Sequence, residues 1–194
     1  MRLPSPYDRL LIPIYLPSFL MALSNQAMTL LLPLYALQVL DSPAYAALVV
    51  GFRGLGILLF DVPAGILVAR FGDKAVLLGA LVTHAAVMLV LAVASVEWLV
   101  PIAAIPLGSS MAAWFLGRQS YITDSSSAHE RGRAIAVMAG INRSGFFIGP
   151  VAGGFAANLY GYPIAFSIGA ILALVAAIIV FVSTRNVPRK KVPK

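Results

Sequence analysis

Apolar residues run along the chain in six long blocks, at residues 10–37, 45–68, 75–96, 98–122, 134–159 and 163–182. A helix crosses a bilayer with about 20 mostly apolar residues, so each block predicts one membrane span. The polar gaps between them are short, at 38–44, 69–74, 97, 123–133 and 160–162. The third and fourth blocks almost merge, and Glu97 and Pro101 mark the turn. The first block is overlong and carries Pro13, Pro17 and Pro33, each of which removes a backbone donor and bends a helix. Between these bends lies the polar triplet Ser24-Asn25-Gln26. Two readings stay open for it: hydrogen bonding between helices, or the lining of a wet cavity.

The gaps differ in charge. With the N-terminus in the cytoplasm, the inner segments hold Arg2, Arg9, Arg70, Lys74, Arg131, Arg133, Arg185, Arg189, Lys190, Lys191 and Lys194. The outer gaps hold no basic residue and instead carry Asp41 and Glu97. Lysine and arginine collect on the cytoplasmic side, so both ends of the chain are expected there. Tyr45, Trp98, Tyr160 and Tyr162 then fall at the outer interface, where amphipathic rings anchor.

Composition agrees with the pattern. Of 194 residues, 60% are hydrophobic and 11% charged, against roughly 25% charged in a soluble domain. The expected fold class is an all-α membrane protein, a six-helix bundle over residues 1–184, with residues 185–194 a basic cytoplasmic tail or the start of a linker. The net charge of +7 does not point to nucleic acid, because the basic residues sit between apolar runs and not on one face. Anionic lipid headgroups account for them. There are no cysteines, which removes disulfides and thiolate chemistry. The N-terminal apolar run is too long for a signal peptide. No metal-ligand pattern and no cofactor motif stands out.

Two segments carry chemistry beyond hydropathy. The first runs from Asp61 through Gly65, Ala69, Arg70, Gly72 and Asp73 to Lys74. The second is Gly145-Phe-Phe-Ile-Gly149-Pro150-Val-Ala-Gly153-Gly154. Gly145, Gly149 and Gly153 recur every four residues and form one smooth stripe, which lets helices approach closely in lipid. Together the segments resemble motifs A and C of the major facilitator superfamily, and Glu130–Ala134 is similar to the family's stretch after the fourth helix. Motif A matches at Gly65, Arg70, Gly72 and Lys74. Its aspartate position is Ala69 and its first closing basic position is Asp73. The arginine of motif B, early in the fourth helix, is replaced by Ala103 or Ala104.

That resemblance implies one half of a twelve-helix secondary transporter, the chain stopping where the linker between two six-helix bundles would begin. It implies alternating access for a small solute. It also implies that the first and fourth helices line the path and the second and fifth face the other bundle. On this basis Asn25, Gln26, Ser110, Trp114 and Arg118 are substrate-path candidates; Arg143, a charge inside the fifth span, is a further one. Motif C points to export by antiport, with protons the candidate coupling ion. The partners implied are the lipid bilayer, a small-molecule substrate and a second six-helix bundle, either a C-terminal half or a second copy; the location implied is the cell membrane.

Charges inside the spans need a partner or water, since each costs about 2.5–3.5 kcal/mol at a helix centre. They are Arg53, Asp61, Arg118 and Arg143. Counting about 1.5 Å per residue places Asp61 about 13 Å above Arg70, and Arg143 about 15 Å above Arg133. The expectation is therefore that Asp61 pairs with Arg143 or Arg118, with Arg53, Asp61 and Arg143 the candidates for coupling. The excess of buried arginine over buried acid hints at an anionic substrate. His84 reads as a hydrogen-bonded packing residue. An alternative is a six-helix scaffold or an inactive fragment. An intramembrane enzyme is disfavoured, because neither a glycine-x-serine-glycine nucleophile nor a histidine-glutamate-x-x-histidine pair is present.

Overall fold

A computed structural model describes residues 10–93 and 98–184. Arg2, Arg9, Glu97, Arg185, Arg189, Lys190, Lys191 and Lys194 lie outside the described residues, as does the 185–194 tail. Six helices long and apolar enough to span a membrane are present. They are α1 (Leu16–Leu40), α2 (Pro43–Phe71), α3 (Asp73–Val93), α4 (Leu99–Ser125), α5 (Ala128–Tyr160) and α6 (Tyr162–Ser183). A wider π turn at Leu11–Tyr15, around Pro13, leads directly into α1, so this proline is absorbed by local unwinding.

α2, α4, α5 and α6 are longer than hydropathy implied, and the loops correspondingly shorter. Asp73 and Lys74 open α3, and Gly72 alone separates it from α2, with φ of 83°. Gly161, φ 85°, does the same between α5 and α6. Both backbones occupy a region that a Cβ disfavours. The polar stretch 123–133 is almost entirely helical. Only Ser126 and Ser127 interrupt it, and α5 then starts on a capping box in which Ser127 and Glu130 satisfy each other's backbone donors. Charge ended the apolar pattern there but did not end the helix.

The packing has an internal two-fold pattern. α2 packs most extensively on α4, and α1 on α5; α3 packs on α6, on α4, and α6 on α1. Exchanging α1–α3 with α4–α6 reproduces this set of pairs. Burial follows the same exchange: α1 and α4 are the most buried and equally so, α3 and α6 match each other, and α2 and α5 are the least buried. An inverted pair of three-helix units produces this arrangement, although no sequence repeat is visible.

Glycines set the close approaches. A Cβ on Gly56 would overlap the Ile105 carbonyl, and one on Gly108 the Arg53 carbonyl, so α2 and α4 meet backbone to backbone. On the related side, Gly145, Gly149 and Gly153 receive Ala22, the Leu23 carbonyl with Gln26, and Ala27 of α1. The motif C stripe is thus a contact surface inside this bundle. Pro150 lies within α5 beside it, and Gly154 has Leu30 of α1 as its neighbour.

Apolar side chains form two clusters. One includes Ile14, Met21, Leu77, Leu81, Trp114 and Val180; the other includes Met28, Leu32, Val49, Met88, Leu107 and Phe166. On α1, α3 and α4 a polar residue falls between the two: Ser24, His84 and Ser110. His84 is fully buried, with Nε2 3.1 Å from Ser24 Oγ and Nδ1 3.3 Å from Ser110 Oγ. Ser24 also donates to the Gly169 carbonyl of α6 at 3.0 Å. One polar layer therefore ties four helices together.

Candidate functional site

A cleft of about 420 Å³ lies between α1, α2, α4 and α5. It is lined by Ser18, Asn25, Gln26 and Thr29 of α1, Arg53 of α2, Trp114 and Arg118 of α4, and Asn142 of α5. Met111, Phe115 and Phe146 supply apolar wall. Along α1 it extends from Ser18 to Thr29, about 16 Å at about 1.5 Å per residue.

Arg53 holds the end of the cleft nearer the turn between α1 and α2. Its Nη1 donates to Thr29 Oγ1 at 2.7 Å, and its Nη2 to Asn25 Oδ1 at 2.5 Å and to the Asn25 carbonyl at 3.3 Å. Asn25 and Thr29 are one helical turn apart, so both face the same guanidinium. Thr29 in turn donates to the Asn25 carbonyl and to Gln26 Oε1.

Arg118 holds the other end. It is 2% exposed. Its Nη1 donates to Asn142 Oδ1 at 3.1 Å, and its guanidinium carbon lies 5.5 Å from the centre of the Phe115 ring. The Nε atoms of both Arg53 and Arg118 are buried without an acceptor, as is Ser18 Oγ. Among the described residues the acids are Asp41, Asp61, Asp73, Asp124 and Glu130, and none of them lines the cleft.

The structure therefore brings Asn25, Gln26, Trp114 and Arg118 together, and adds Arg53, which had been a candidate for ion pairing. It leaves out two path candidates. Ser110 faces His84 and the Leu107 carbonyl in the core. Arg143 lies on the exposed side of α5, one residue and about 100° of helical rotation from Asn142. The expected ion pair of Asp61 with Arg143 or Arg118 does not form. Asp61 is exposed on α2, and Arg118 is turned to Asn142 and Phe115. Equal depth does not bring two side chains together when their helices present different faces. Thr29, Asn142 and Ser18 were missed. The i, i+4 spacing of Asn25 and Thr29 was the one signal for the first.

The motif A residues sit at the far end of α2. Gly65 faces open space. Arg70 lies over the Phe71 ring, 5.4 Å from its centre. Lys74 donates to the carbonyls of Phe181 and Thr184 at 2.7 and 2.9 Å. It thereby closes the C-terminal end of α6, where unpaired carbonyls and the helix dipole favour a cation.

No match is found among curated proteins. The sequence profile of the Major Facilitator Superfamily matches residues 14–194, nearly the whole chain. With six apolar spans, the small-residue stripe and a polar cleft in place, the chain belongs to the Major Facilitator Superfamily of membrane transporters.

Proposed function

We propose that this six-helix bundle forms one wall of a solute path and works by alternating access against a second six-helix bundle, as an exporter that exchanges its solute for protons. The observation that carries this reading is the cleft itself, in which Asn25, Gln26, Arg53, Trp114 and Arg118 line one space well inside the apolar spans. Polar side chains at that depth are costly in lipid and are normally kept for a wet path.

The exposed faces support a second bundle. α2 and α5 are the least buried helices, and each carries a charge on its exposed side, Asp61 and Arg143. In lipid such charges cost about 2.5–3.5 kcal/mol each on insertion scales, whereas protein or water against them lowers that cost. A C-terminal half or a second copy would meet the bundle there.

These 194 residues contain no cysteine, so a thiol placed in the cleft is the one thiol of this bundle. Gln26→Cys in membranes is exposed to an impermeant maleimide from one side and then the other. Labelling from both sides, shifted in ratio by substrate, is expected. A Gln26→Cys site that reacts from neither side would remove alternating access through this cleft. Proton exchange is tested separately, by solute efflux from vesicles that follows an imposed pH gradient and stops when a protonophore collapses it.

A further inference from the structure

We infer that the cleft binds a small organic anion, a carboxylate or phosphate ester, with Arg118 and Ser18 taking the charged group and Arg53 with Asn25 taking a second polar group. The inference rests on the solute-path reading and adds the substrate's chemistry to it.

A guanidinium carries five donors. Arg118 is almost fully buried and has one hydrogen-bond acceptor, Asn142, with its Nε unpaired. A buried cation left without compensation is strongly unfavourable. The cleft holds a second guanidinium, Arg53, and no carboxylate. Ser18 Oγ, also buried and unpaired, lines the cleft. Ser18 and Arg118 lie toward the same end of the cleft, since Ser18 is near the start of α1 and Arg118 is seven residues, or about 10 Å, from the end of α4 at Ser125. Unpaired donors at one end and a net positive cleft together select an anion. Carboxylate and phosphate oxygens match the planar fork of arginine, which a halide does not. The wall formed by Met111, Trp114, Phe115 and Phe146 suits an organic body, and about 420 Å³ exceeds what an inorganic ion fills.

Trp114 reports on the site, because the chain has only two tryptophans and Trp98 lies far from it at the start of α4. Trp98→Phe protein is placed in nanodiscs of phosphatidylcholine alone. Trp114 emission is titrated with butyrate, succinate and glycerol 3-phosphate, and with butyramide and choline as neutral and cationic controls. A saturable change with at least one anion and with neither control is expected. Arg118→Gln should weaken it at least about tenfold, the scale of one lost charge-assisted contact. Arg118→Lys should fall between, and Arg133→Gln should leave it unchanged. Should Arg118→Gln fail to fold, iodide quenching of Trp114 in the Trp98→Phe protein must still exceed caesium quenching.

Equal quenching by the two ions together with no response to any anion overturns the inference. A response that requires phosphatidylglycerol overturns it in favour of a lipid headgroup. Proteoliposome uptake separates the two levels. Uptake confined to neutral or cationic solutes and indifferent to Arg118→Gln keeps the transporter and removes the anion. Anion binding without uptake of any solute, with the second bundle present, removes the transporter reading instead.

Discussion

His84 shows how a polar group survives in the middle of this bundle. Each ring nitrogen has a serine hydroxyl within hydrogen-bond distance, from α1 on one side and α4 on the other. Removing one hydroxyl leaves a buried ring nitrogen unpaired, which costs about 1–3 kcal/mol. Ser110→Ala should therefore lower the melting temperature in detergent. Adding His84→Leu should recover part of the loss, because an apolar pair leaves nothing unsatisfied. A double mutant that melts at the sum of the two single losses would show that the three side chains are not coupled. Asp61 stands at the opposite extreme, exposed on α2. Asp61→Asn should leave the stability of the isolated bundle unchanged within about 0.5 kcal/mol, as for other surface substitutions, and act only where that face is covered. Comparing melting with and without the second bundle checks this.

At the scale of helices, two glycines from the two motifs give opposite expectations. Gly149 is packed on the Leu23 carbonyl and Gln26 of α1, whereas Gly65 has open space around it. Gly149→Leu should cost about 1–3 kcal/mol or more by overpacking, and should also narrow the cleft, since Gln26 lines it. Gly65→Leu should be tolerated, with some gain in helix propensity. Thermal unfolding of the two variants side by side decides, and equal melting would mean that α1 and α5 are not closely packed. The helix ends carry a smaller effect. Lys74→Met removes the cation that closes α6, and a loss of about 0.3–1 kcal/mol is expected from the dipole contribution. Amide exchange in the last turn of α6 should rise accordingly.

For the whole molecule, the two-fold pattern explains why burial is shared so unevenly among helices that all look alike in hydropathy. α1 and α4 are central, and α2 and α5 give one face each to the outside. Arg70, Lys74, Arg131 and Arg133 cluster around the turns on one side and Asp41 on the other, and this bias predicts the orientation. Reporter fusions after Lys74 and after Arg133 should behave as cytoplasmic, and one after Asp41 as external. A cytoplasmic signal from the Asp41 fusion would reverse the assignment.

The count of spans and the one-sided distribution of lysine and arginine were legible in the sequence, because both are one-dimensional quantities. A spanning run needs only length and apolar composition, and the charge bias needs only the order of the gaps. The glycine stripe was legible for the same reason, since its four-residue period implies a smooth face whatever that face meets. The identity of the partner face, α1, was not. Helices in lipid are apolar on nearly every side, so no amphipathic period marks which side looks inward. Rotation about each axis is then set by packing alone. It turned Asn142 into the cleft and Arg143 out of it, kept Asp61 from both arginines, and joined Arg53 to Asn25 and Thr29 on another helix. Polar residues could be placed at a depth from the sequence; only the packed bundle decided which of them share a site.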